Sequence, residues 1–299
     1  MSESVVTIRE LSRRFGSKVA LDRVSLTIPQ GSVYGLVGGN GAGKTTLIKH
    51  ILGLLHAEQG MVQVFGINPV ADPPAVLSRI GYLSEDRDIA GWMSVEELLC
   101  YTQAFFPDWD PVFARELLDM FELSPRQKIK TLSRGQLARA GLLTALAHRP
   151  ALLLLDEPSS GLDPVVRRDI LTAIIRTVAD EGRTILFSSH LLDEVERVAD
   201  RVAMLSHGRL ILNESLDDIK SRHRVVTLRF THEISQTPQL PGLINLQGSA
   251  GEWKYLCPQG TAQVRAAAES YGAVIVEETI PSLDEIFVGH SSAKGGASC

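Results

Sequence analysis

The run Gly38-Gly39-Asn40-Gly41-Ala42-Gly43-Lys44-Thr45 has the spacing GxxxxGK[ST]. Such glycines let successive backbone N–H groups converge on one phosphate with no side chain in the way. Lys44 supplies charge to the β- and γ-phosphates of ATP, and the Thr45 hydroxyl suits Mg²⁺. The predicted ATP-binding set is this run together with Thr46. The alternative, a glycine turn without nucleotide, does not explain why the run sits between an apolar strand and a helix. Asp156-Glu157 closes a second apolar strand, Ala151–Leu155. Ionised carboxylates in an apolar setting need compensation. Asp156 is therefore read as a Mg²⁺ ligand and Glu157 as the group that polarises a water towards the γ-phosphate. Their other reading is a pair of caps for the next turn. His190 follows a third strand, Thr184–Phe187, and is read as a γ-phosphate contact. The combined chemistry is Mg²⁺-dependent hydrolysis of ATP.

These residues need a scaffold. Val5–Arg9 and the alternating Val24, Leu26 and Ile28 read as opening strands, followed by the buried strand Ser32–Val37 and the helix Lys44–Leu55. From about Ser84 to Gln136 the pattern turns helical, with Ser94–Glu97 in the form of a capping box. Phe105, Phe106, Trp109 and Phe113 lie near Pro107 and Pro111 and read as packing at a helix junction rather than a ligand platform. Asp163-Pro164 opens a helix that Gly182 closes. Alternating strands and helices imply an α/β fold with a mostly parallel sheet. In such sheets ligands bind at the carboxyl ends of the strands, where the polar clusters fall. Beyond Ser221 the pattern changes. Val225–Phe230, Trp253–Cys257 and Ala273–Glu278 read as strands, with a helix around Thr261–Tyr271 and a Pro/Gln/Gly-rich stretch reaching Gly251. The predicted organisation is an ATP-binding domain over 1–221 with a helical subdomain at about 84–140. A small α+β extension over 222–290 and a flexible tail over 291–299 complete it.

The order of motifs over Val5–Ser221 resembles the ABC ATPase family. Leu132-Ser133-Arg134-Gly135-Gln136 is similar to its LSGGQ signature, Ser160-Gly161-Leu162-Asp163 to its D-loop, and Ser189-His190 to its switch histidine. Phe15 is placed like the aromatic that stacks on adenine. The resemblance implies a P-loop ABC ATPase fold with amino-terminal antiparallel strands. It also implies a head-to-tail dimer in which Ser133, Arg134, Gly135, Gln136 and Asp163 act across the interface, Ser133 and Gly135 on the γ-phosphate. Three positions depart from the pattern. Glu85, in Gly81-Tyr82-Leu83-Ser84-Glu85, stands where the family has glutamine. A carboxylate there could reach Mg²⁺ or water, at the cost of negative charge beside the triphosphate. Arg134 replaces the second signature glycine, facing either the phosphates or solvent, and Ser159 stands where threonine is common. Ser282–Phe287 resembles the closing segment of ATPase subunits of ABC-2-type bacterial exporters, and also reads as an ordinary amphipathic helix.

The chain has 299 residues, 44% of them hydrophobic, and a net charge of −5, so no broad basic surface points to nucleic acid as a partner. MSESVVTIRE carries no apolar signal region, and Ala151–Leu155 is far short of the roughly 20 residues of a spanning helix. Cys100, Cys257 and Cys299 have neither metal-ligand nor disulfide spacing and fit a reducing cytoplasm. The resemblance therefore implies a peripheral subunit on the inner face of the cell membrane. Its partners would be a second ATP-binding subunit, identical or homologous, and a separate membrane permease docking near Glu85 and the Ser94–Phe113 helices. The competing readings are a soluble ABC ATPase serving regulation or assembly, and an ATP-binding gate without turnover. Glu157 and His190 argue against the gate.

Overall fold

The computed structural model describes residues 4–295 except 88, 232–239, 241, 250, 259–263 and 265–267. The chain divides into two compact units, Met1–Leu210 and Ile211–Cys299. The division precedes the boundary expected after Ser221.

The first unit opens with a hairpin of β1 (Ser4–Phe15) and β2 (Lys18–Pro29), antiparallel. Val6 and Ile8 on β1 and Val24, Leu26 and Ile28 on β2 are buried, the period-two pattern of strands with one face on a core, and Leu11 is buried beyond a register shift. β3 (Val33–Val37) runs through the glycine loop into α1 (Lys44–Ile51). β4 (Gln59–Val64) then returns to β1, giving an antiparallel sheet of order β2-β1-β4.

A second, larger sheet carries the motifs. α2 (Pro73–Leu77) and β5 (Ile80–Leu83) lead into α3 (Val95–Gln103), α4 (Pro111–Met120) and α5 (Arg134–Leu146). β6 (Leu152–Asp156), α6 (Pro164–Glu181), β7 (Thr184–Ser189), α7 (Leu192–Val198), β8 (Arg201–Ser206) and β9 (Arg209–Ser215) follow. The strand order is β5-β6-β7-β3-β8-β9, parallel from β5 to β8. Every residue of β3, β6 and β7 is buried, as strands covered on both faces require. Because β6, β7 and β3 are neighbours and parallel, their carboxyl ends emerge side by side. The glycine loop, Asp156-Glu157 and Ser188-Ser189-His190 are therefore brought to one place by topology alone.

The helical segment follows the reading from sequence. Ser94 caps α3 in a full capping box: its hydroxyl accepts from Glu97 N at 3.2 Å and its own N–H donates to Glu97 Oε2 at 2.6 Å. Asp110 caps α4 ahead of Pro111. Phe106 stacks on His148 at 3.8 Å and Phe113 lies under the Arg149 guanidinium at 4.2 Å, so the aromatic cluster is partly packing. Phe105 departs from that reading, being 62% exposed, and Trp92, outside the cluster, is 71% exposed.

In the second unit α8 (Leu216–Arg222) precedes an antiparallel sheet of β10 (Arg224–Phe230), β11 (Ile244–Ser249), β12 (Glu252–Cys257) and β13 (Ala273–Thr279). Its order is β11-β12-β10-β13, over a core that includes Val226, Leu228 and Tyr255. β11 lies in the stretch read as strandless. Its Asn, Gln and Gly residues have poor strand propensity, which pairing with β12 and the packing of Trp253 over Gly248 override. The helix expected over Thr261–Tyr271 is seen at Val264 and from Ala268 to Ser270, Tyr271 being in a turn and the rest lying outside the described residues. α9 (Leu283–Gly295) corrects the predicted tail, since residues 291–295 are helical. Ser282 N donates to Glu285 Oε2 at 2.9 Å at its start, and a capped first turn propagates through residues that would not nucleate a helix themselves. The end of the predicted tail, with Cys299, lies outside the described residues; Cys100 and Cys257 are unbonded thiols. Among the described residues no helix is long and apolar enough to cross a membrane.

Candidate active site

A cleft of about 320 Å³ opens over the glycine loop, lined by Phe15, Lys18, Ala20, Asn40–Thr46, Glu85 and Glu157. Gly43 stands at φ 112°, and a Cβ there would meet the Ala20 carbonyl oxygen at 2.6 Å, so only glycine lets the loop pass the β2 backbone into α1. The loop's N–H groups and the first turn of α1 form a nest for phosphate oxygens. Lys44 Nζ donates to the Gly38 carbonyl at 2.6 Å and the Gly39 carbonyl at 3.4 Å, which aims the ammonium back across its own loop.

Glu157 links the three strand ends. Its Oε1 lies 3.0 Å from Lys44 Nζ, and both side chains are only 6% exposed. Its Oε2 accepts from the His190 N–H at 3.4 Å and meets His190 Nδ1 at 2.7 Å. The backbone at Glu157 is left-handed, φ 48°, a conformation a bulky residue adopts only when its surroundings enforce it. Next to it the Asp156 carboxylate accepts through Oδ1 from the Ser188 hydroxyl at 2.6 Å, and that hydroxyl accepts from Glu157 N at 2.9 Å. Ser188 thus orients both acids.

The sequence reading missed several supporting residues. Lys18, the first residue of β2, brings its Nζ to within 3.7 Å of the point where a Cβ on Gly41 would stand. Its position just after Phe15 was the available signal. Glu194 is buried beyond the site, accepting from Ser159 Oγ at 2.6 Å and Ser189 Oγ at 3.3 Å and pairing with Arg167 at 3.1 Å. Burial pushes its pKa up, and those partners pull against it. No spacing in the sequence betrays that network.

The remaining predicted residues lie elsewhere or at the rim. Phe15 lines the cleft, 46% exposed, with the Arg13 guanidinium 4.8 Å over its ring. Thr45, Thr46 and Glu85 line it as well. Ser133, Arg134, Gly135 and Gln136 do not line this cleft. They start α5, where Ser133 Oγ accepts from Gln136 N at 3.2 Å and Ser133 N donates to Gln136 Oε1 at 3.0 Å. Gly135 is tight against α6, since a Cβ there would stand 2.7 Å from Val166 Cγ2. The Arg134 guanidinium approaches Gly161, 3.9 Å from that residue's Cβ position. Asp163 caps α6, accepting from Val165 N at 3.0 Å and Val166 N at 3.1 Å, and those bonds hold its pKa below the ordinary value.

A parallel α/β sheet with a glycine-rich phosphate loop opening a helix, and an acidic pair and a histidine on the adjoining strand ends, defines a P-loop ATPase. The comparisons narrow the class. The ABC transporter family model matches residues 21–160. The chain is 31% identical to the bacitracin transport ATP-binding protein BcrA of Bacillus licheniformis, over 74% of this chain and 73% of that one. It is 27% identical to the ABC transporter ATP-binding protein YtrB of Bacillus subtilis, over 97% and 99% of the two chains. The solved structure of an ATP-binding subunit of an ABC transporter superposes with a TM-score of 0.67 at 27% identity, covering 73% of this chain and 92% of that one. The chain belongs to the ATP-binding subunits of ABC transporters, and its activity is ATP hydrolysis coupled to transport.

Proposed function

We propose that this chain hydrolyses ATP at the Lys44–Glu157–His190 cluster, closes on a second copy of itself around the nucleotide, and drives a separate membrane permease in export. The observation that carries the reading is the Glu157 carboxylate held between Lys44 and His190 at the foot of the glycine loop. Phe15 stacks against adenine, and Gly38 to Thr46 cradle the phosphates. Lys44 exchanges its ion pair with Glu157 for the β- and γ-phosphates, which frees the carboxylate to take a proton from the attacking water. His190 stays hydrogen-bonded to Glu157 and contacts the γ-phosphate.

The donors fit Mg²⁺. Asp156 is a buried carboxylate with one oxygen engaged by Ser188, and Thr45 and Glu85 line the cleft. Among the described residues no cluster of three or more His, Cys, Asp or Glu side chains forms a cage. Mg²⁺ in such sites is held by one or two carboxylates, with water and the substrate's phosphates completing its shell. Thr45, Asp156 and Glu85 would hold it, and its chemistry there is neutralisation of charge on the phosphates.

Ser133 and Gly135 take no part in their own subunit's cleft and supply the far side of a partner's nucleotide, together with Asp163. The exposed Trp92, Tyr101 and Phe105, near Glu85 in sequence, suit an apolar permease contact that places the chain on the inner face of the membrane. Transport is supported by the kinship with the bacitracin transport ATP-binding protein, and the export direction rests on the resemblance of Ser282–Phe287 to ABC-2-type exporter subunits. Reconstitution tests the coupling: membranes carrying the permease should stimulate ATP turnover, and co-purification should fail when Trp92 and Phe105 are replaced by Ser. Unchanged co-purification would remove that docking surface.

A further inference from the structure

Arg87 has no part in the chemistry above, yet it reaches the turn that carries the catalytic acid. Its Nη2 donates to the Pro158 carbonyl at 2.9 Å and to the Ser160 carbonyl at 3.1 Å. These residues directly follow Glu157, whose left-handed backbone makes the turn, and Ser160 N donates back to the Glu157 carbonyl at 3.1 Å. On its own side Arg87 is tied to Glu85. Arg87 N donates to the Ser84 carbonyl at 3.3 Å, closing a tight turn that has Glu85 inside it, and Arg87 too stands at positive φ, 49°. Glu85 lines the nucleotide cleft.

We infer that Arg87 is a positioning residue: a two-carbonyl clamp that makes the turn after Glu157 follow the segment bearing Glu85, and so sets the aim of Glu157 and the position of the D-loop. The inference rests on the ATPase reading of the site. Two observations favour a clamp that can let go over a static tie. The guanidinium meets backbone carbonyls, and among the described residues it forms no ion pair; its Nε is buried without a hydrogen-bond partner. Burial and the nearby Arg134 lower its pKa while Glu85 raises it, so its charge is poorly compensated where it sits. A half-buried cation held by neutral acceptors is less secure than a paired one. The opposite side of the same turn is held differently, through Ser159 on the buried carboxylate of Glu194, itself paired with Arg167. One side is an anchor, and the Arg87 side is the one that moves.

The test uses the full chain with Arg87→Ala and Arg87→Lys, the lysine retaining charge but not the two-carbonyl fork. ATP turnover, melting temperature and amide hydrogen exchange at Ser159–Leu162 are measured beside wild type and Glu157→Gln. The clamp predicts a kcat at least tenfold lower in Arg87→Ala, with KM for ATP and melting temperature nearly unchanged. Exchange should be faster at Ser159–Leu162 and not in β6, and the lysine variant should fall between. A kcat within twofold of wild type with unchanged exchange overturns the inference, as does a fall of melting temperature and of protection across the whole unit together with a raised KM. Exchange needs no turnover. A wild-type protein that binds ATP without hydrolysing it would therefore sink the hydrolytic reading and still report whether Arg87 holds the turn.

Discussion

The strand-end cluster and the start of α5 are both made of motif residues, yet they are built in opposite ways. At the strand ends each polar group is spent on another: Lys44 and His190 on Glu157, and Ser188 on Asp156 and Glu157. Lys44, Asp156, Glu157 and Ser188 are buried, where charge must be matched and each loss is costly, while the His190 side chain is 41% exposed. At α5, the Ser133 and Gln136 side chains bond to each other's backbone, and the tight contact is made by Gly135 on Val166. The first region is organised inwards to do chemistry, and the second is a capped helix end that keeps its outer face for something else. On the reading proposed above, the difference teaches that one subunit carries a complete reactive end and only half of an enclosure.

Four substitutions sharpen or break that contrast, taken from the largest effect to the smallest. Glu157→Gln should suppress ATP hydrolysis about a hundredfold or more while leaving binding intact, since the amide cannot accept the proton; near-normal turnover in a phosphate-release assay would remove Glu157 from the base role. Lys44→Ala removes a charge-assisted contact to phosphate worth about 1.5–3 kcal/mol, so ATP affinity by calorimetry should fall roughly ten- to hundredfold. Unchanged affinity would sink the cradle. Ser133→Ala should cost about 1 kcal/mol of stability through the lost cap and leave monomer ATP affinity untouched. A fall in that affinity would mean α5 already serves its own cleft. The smallest effect concerns pH. Because the folded pKa of Glu194 is raised above its ordinary 4.5, the folded state binds the extra proton, and stability is lost as pH rises through the folded value. Compared with Glu194→Gln, the wild-type protein should therefore lose melting temperature as pH climbs above that ordinary value, and parallel curves would contradict the assignment.

Much of this was legible in the sequence because short-range rules carry it. The glycine run, the buried strands ending in polar clusters, and the Ser94 and Asp163 caps each depend on residues a few positions apart. What escaped depends on pairing at long range. Ser188 could be seen at a strand end, but its bridge across Asp156 and Glu157 follows from β6 and β7 lying side by side. Glu194 and Arg87 act on a turn far away in sequence, through bonds that no local pattern encodes. β11 was hidden by residues with poor strand propensity, and residues 291–295 read as tail because the cap that starts their helix lies well upstream.

The central claim is that the two differently built regions complete each other across a pair of subunits, with ATP between them. Size-exclusion chromatography with light scattering on Glu157→Gln, with and without Mg-ATP, tests it most directly. The account predicts a monomer without nucleotide and a dimer with it, the dimer being abolished by adding Ser133→Arg. A protein that stays monomeric with ATP demonstrably bound, or a dimer indifferent to both ATP and Ser133→Arg, would contradict it.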